Sequence, residues 1–288
     1  MEITALNRLD HRLSRFQCLS GNQIKMIAVV CMFIDHFCEI FFYTFKLTFL
    51  RPMMDAGLMT MGQHDLLFGI NGFFRGIGRI AFPLFCFAFA EGYAHTRNKG
   101  RYLLRLALFA LISEVPFDIF FMWHGGPGLW SEEIARHWPM WWDHQNVFFT
   151  FLLAFSGLWL MEKASALVKW KPLAFLLQCG VAFVVCFLAE YKVRGDYSGF
   201  GVFFILVAYF LRKNRIVQIA GLILATLVFN RYHCQPIPFA IALVLMLLYN
   251  GQRGQRNLKY FFYWFYPVHI TLLGLTDWYL FTFLWNRA

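Results

Sequence analysis

The run IKMIAVVCMFIDHFCEIFF holds the residues best placed for chemistry: Lys25 at its start, Asp35 and His36 in its middle and Glu39 one turn on. An ionisable group in a hydrocarbon layer costs ~2.5–3.5 kcal/mol on insertion scales, so each is a functional candidate by default. His36 and Glu39 are three residues apart and share a helix face. Lys25 and His36 are eleven residues apart, about three helical turns and roughly 16 Å of rise, again on one side. Lys25 is then expected at a membrane surface and His36 near the middle of a core about 30 Å thick. A histidine at that depth can act as a general base near neutral pH, with Asp35 or Glu39 fixing its tautomer. A phosphate-bearing donor could hold its charged end at Lys25 and reach His36 with a thin arm. A structural histidine–carboxylate pair between helices would use the same residues.

Four further stretches carry polar groups in apolar surroundings. GIGRIAFPLFCFAFAEGYAHTR opens with Arg79 and ends near Glu91. Arg79 can hold a phosphate or an oxyanion, or cap a carboxylate or reach the interface; Pro83 can kink the helix. Arg97, Arg101 and Arg105 follow as further phosphate candidates. Ser113-Glu114-Val115-Pro116-Phe117-Asp118 sets two carboxylates around a proline. Asp196-Tyr197-Ser198-Gly199 opens another run, where helix capping is the plain alternative. Tyr266-Pro267-Val268-His269 lies in the last run, so that His269 could approach the same cavity as His36. Glu91, Glu114, Asp118, Asp196 and His269 are the candidates for substrate contact. His124, His137 and His144 match no standard zinc spacing, and no metal is expected. No Cys-x-x-Cys pair or glycine-rich phosphate loop is present.

The elements that must position these groups are transmembrane helices. Of 288 residues, 59% are hydrophobic and only 15% charged, against roughly 25% charged in a soluble domain. The net charge of +10 resides in short segments between apolar runs, which points to topology rather than nucleic acid. Hydropathy predicts an all-α polytopic membrane bundle of about nine helices (eight to ten), over 24–48, 77–94, 102–123, 146–163, 172–190, 198–211, 216–231, 236–250 and 259–285. Residues 1–23 read as a cytoplasmic segment without the features of a signal peptide, and 24–288 as one transmembrane domain. Lysine and arginine in the N-terminal segment and in 95–101, 162–171, 211–215 and 251–259 put those segments on the cytoplasmic side. The connection 124–145, rich in tryptophan (Trp130, Trp138, Trp141, Trp142), falls outside as an interfacial belt or a lid. Trp285 is expected as an anchor near the C-terminus.

Ordered motifs from Lys25 to His269 resemble the TraX family, whose founding member is associated with N-terminal acetylation of conjugative pilin. They include Gly78-Arg79-Ile80-Ala81-Phe82-Pro83, Glu91-Gly92-Tyr93, Ser113-Glu114-Val115-Pro116-Phe117-Asp118, Gln145-Asn146-Val147, Asp196-Tyr197-Ser198-Gly199 and Tyr266-Pro267-Val268-His269. The family looks related to heparan-glucosaminide acetyltransferase and to acyltransferase type 3 proteins; in the latter a basic residue precedes a catalytic histidine by the spacing of Lys25 and His36. The resemblance implies a bacterial inner-membrane acetyltransferase. It would move an acetyl group from cytosolic acetyl-CoA to an amine or hydroxyl of a small molecule, glycan or peptide N-terminus. His36 would be the base, and Lys25 and Arg79 the phosphate ligands. A transporter using the same buried charges is the alternative.

Overall fold

The computed structural model describes residues 8–9, 11–122, 143–229 and 234–285, and the regular elements among them are helical. Helix α1 (Gly21–Phe45) starts at a capping box. The Ser20 hydroxyl accepts from the Gln23 backbone N–H, and the Gln23 side chain accepts from the Ser20 N–H, satisfying two donors that a helix start leaves open. The helix runs on through a π turn, Lys46–Leu50, and a short helix, Arg51–Asp55. Helix α2 (Met61–Gly78) begins with the same device at Thr60 and Gln63. Only Arg79 and Ile80 separate it from α3 (Ala81–Ala94). Then come α4 (Lys99–Phe117, with a π extension Asp118–Met122), α5 (Val147–Leu167) and α6 (Lys171–Leu188). They are followed by α7 (Ser198–Phe210), α8 (Arg215–Phe229), α9 (Pro236–Leu247) and α10 (Lys259–Tyr279, extended by Leu280–Trp285).

Four helical stretches, Gly21–Asp55, Met61–Ala94, Val147–Leu167 and Lys171–Val193, are long and apolar enough to cross a membrane, and α7, α8 and α9 are shorter apolar helices. The protein is thus a polytopic helical membrane protein. Each of the nine expected spans contains a helix. The segment 49–76, expected as a connection, contains most of a further one, α2. Five glycines and Arg75 dilute the hydropathy of α2, and it forms where it can pack on α1. The tryptophans of 124–142, together with His124 and His137, lie outside the described residues, as does the side chain of Trp285.

Helix α1 packs against α2, α3 and α10, and α4 bridges α10 and α5. Helix α7 sits among α3, α5, α6 and α8. One buried apolar cluster runs from Ile24 to Ile270, with Phe82, Leu84 and Phe87 of α3 and Val202, Phe204 and Ile205 of α7 in its middle. The basic segments meet at one end of the bundle. Leu19 and Leu248 share a backbone hydrogen bond, as do Gly21 with Gln252 and Asn22 with Arg253. Lys99 pairs with Glu162, which accepts from the Tyr209 hydroxyl, and Arg215 lies 4.0 Å from Glu91.

Candidate active site

A cavity of about 530 Å³ opens between α1, α3, α4, α5 and α10. Lys25, Arg105, Arg253 and Lys259 line it toward the basic end. Asp35, His36, Asp196, Tyr197 and Tyr266 line it toward the other. Lys25 rides over the Phe262 ring and Arg105 over the Tyr102 and Tyr263 rings. Aromatic faces attract cations without neutralising them, and none of the four cations is ion-paired among the described residues.

His36 meets His269, not a carboxylate. The two rings are nearly coplanar, and His36 Nδ1 stands 2.6 Å from His269 Nε2. His269 Nδ1 is in turn 2.7 Å from the Phe265 carbonyl oxygen. His36 lines the cavity and His269 stands behind it. The carboxylates expected to orient His36 are held elsewhere. Arg75 of α2 is 3.4 Å from Asp35 and pairs closely with Glu39. Gly78 makes this approach possible: a Cβ there would overlap the Asp35 side chain.

The remaining candidates separate by position. Among the expected phosphate ligands, Lys25 and Arg105 line the cavity; Arg97 and Arg101 are exposed, and Arg79 lies half-buried at the α2–α3 break, outside the lining. Glu91 lines the basic end beside Arg215. Asp196 lines the deep end, 3.9 Å from His144. Its backbone N–H donates to Gln145, which seats the 194–197 connection against the start of α5. Tyr197 stacks on Phe82 with ring centres 3.4 Å apart. Burial, with Asp196 beside it, pushes the Tyr197 phenol well above its ordinary value, so it remains a hydrogen-bond donor. Glu114 and Asp118 are buried but outside the lining. Glu114 accepts from the backbone N–H and side-chain amide of Asn146, which itself caps α5. Glu114 therefore ties α4 to α5. Sequence reasoning missed Arg75, which fell in the expected connection, and passed over Arg253 and Lys259 as topological charges.

No solved structure matches the chain. Over 275 residues, covering 91% of this chain and 97% of the relative, it is 28% identical to a probable fimbrial assembly protein FimC, serogroup H1, of Dichelobacter nodosus. The expectation of a membrane acetyltransferase moving an acetyl group from cytosolic acetyl-CoA to an amine or hydroxyl acceptor is overturned, since the likeness is to a fimbrial assembly protein. That likeness gives the transporter alternative no support. Residues 20–277, most of the length and all of the cavity's lining, match the TraX protein family, and the chain belongs to that family.

Proposed function

We propose that this chain serves the assembly of a surface fibre from within the membrane, acting on a fibre subunit. The near full-length likeness to a fimbrial assembly protein supports this role. The enzymatic step attached to it is acyl transfer onto that subunit, in keeping with the association of the TraX family with pilin acetylation. One observation carries the step: one cavity has, toward one end, four cations without ion-pair partners among the described residues and, toward the other, a hydrogen-bonded histidine. Acetyl-CoA is the proposed donor. Its phosphates would lie with Lys25, Arg105, Arg253 and Lys259, and its arm would extend the roughly 16 Å of helix rise to His36. The subunit's attacking heteroatom bonds to the thioester carbonyl carbon and the carbon–sulfur bond breaks. The proton displaced from the acceptor goes to His36 and then to the leaving thiolate. The Lys25-to-His36 spacing, which resembles that of acyltransferase type 3 proteins, supports the same assignment. The basic end is assigned to the cytoplasmic face of a bacterial inner membrane, following the positive-inside rule.

The test compares fibre subunits, by intact mass, from cells with the wild-type chain, without it and with His36→Ala. The acyl increment is expected with wild type alone, because loss of a general base lowers transfer by about 10²- to 10⁴-fold. An unmodified subunit in wild-type cells overturns the acyl step. Normal fibres in cells lacking the chain overturn the assembly role.

A further inference from the structure

We infer that His269 is a positioning residue that fixes the proton of His36 on Nδ1 and leaves His36 Nε2 as the basic nitrogen presented to the cavity. The argument follows the hydrogen-bond chain from its far end. The Phe265 carbonyl can only accept, so the 2.7 Å contact from His269 Nδ1 requires a proton on that nitrogen. In a neutral imidazole the other nitrogen then carries a lone pair. His269 Nε2 is therefore the acceptor of the 2.6 Å bond, and His36 Nδ1 is its donor. The lone pair of His36 remains on Nε2, the nitrogen turned away from His269.

The environment favours this arrangement over a carboxylate partner. Both histidines are buried, with the Phe121 ring 4.9 Å from His36 and the Phe265 ring stacked on His269. A carboxylate there would need a cation to offset its desolvation. The nearby carboxylates Asp35 and Glu39 already have one in Arg75. A neutral imidazole orients His36 without adding a charge. When His36 accepts a proton at Nε2, its Nδ1–H bond to His269 becomes charge-assisted and strengthens. The role of His36 as base rests on the acyl-transfer reading; the tautomer does not, and the two can be tested apart.

The experiment uses full-length protein in nanodiscs with ¹⁵N-labelled histidine, comparing wild type with His269→Gln and His269→Leu. Glutamine keeps an acceptor for His36 Nδ1–H, and leucine has none. Wild type should show His36 as a single Nδ1–H tautomer, with a nitrogen–nitrogen coupling to His269 across the hydrogen bond. The glutamine variant should keep that tautomer, and the leucine variant should give a mixture. A proton on Nε2 of His36 in wild type, or no coupling between the rings, overturns the inference even if neither variant folds. Subunit acylation gives the second readout. His269→Leu should lower turnover by about 10²-fold or more without raising the donor KM, since orientation of the base is what it loses, and His269→Gln should recover part of the rate. Acylation absent in every protein, with the tautomer as stated, sinks the enzymatic reading and leaves the positioning intact.

Discussion

The two ends of the cavity treat charge differently. Toward the basic end, Lys25, Arg105, Arg253 and Lys259 rest near aromatic rings or in solvent-facing connections, without carboxylate partners among the described residues. Toward the deep end the carboxylates and histidines have partners: Asp35 and Glu39 have Arg75, His36 has His269, and Asp196 has His144. Uncompensated charge suits an end that must take up a mobile anion. Compensated charge suits an end that must hold one geometry in low dielectric, where an unpaired ion is expensive.

The sharpest way to break this contrast is at Arg75. Arg75→Leu strips the partner from two carboxylates and is expected to cost about 3–5 kcal/mol, read as a lower thermal midpoint in detergent. Adding Asp35→Asn and Glu39→Gln should restore most of it. A single variant as stable as wild type would show that the deep end does not depend on charge matching. A smaller effect is expected at the basic end. Lys25→Ala or Arg253→Ala should raise the donor KM about tenfold, equivalent to roughly 1.4 kcal/mol, while kcat and the thermal midpoint stay near wild type. A stability loss without a KM change would make these residues structural. The smallest effect is expected from Arg97→Ala and Arg101→Ala, which lie on the exposed flank and should leave stability within about 0.5 kcal/mol and donor KM unaltered.

Particular residues show what the sequence could and could not disclose. Helical periodicity put Lys25 and His36 on one side of one helix, and both line the same cavity. Local pattern sufficed because a single straight element carries both. It did not reach His36's partner, because the choice between Glu39, three residues away, and His269, 233 residues away, is decided by how α1 meets α10. The rule that a buried carboxylate is functional could not show that Glu114 has the capping amide of α5 as its partner. Helix α2 escaped notice because hydropathy rewards large side chains. One of its glycines, Gly78, lets α1 approach: it admits the Asp35 side chain where any Cβ would collide.

Among the bonds that join α1 to α10 are His36 to His269, and the Thr44 hydroxyl to Asp277 at 2.6 Å. Both span the same 233 residues, so the helices run parallel and in step. The consequence concerns biosynthesis. Chains emerge from the ribosome at about 5–20 residues per second, so α1 waits in the bilayer for more than ten seconds before its partner is made. Throughout that interval His36 has no Nδ1 acceptor from α10. The His36–His269 pair therefore forms late in synthesis, and any product ending before Lys259 would carry His36 without the helix that holds its partner.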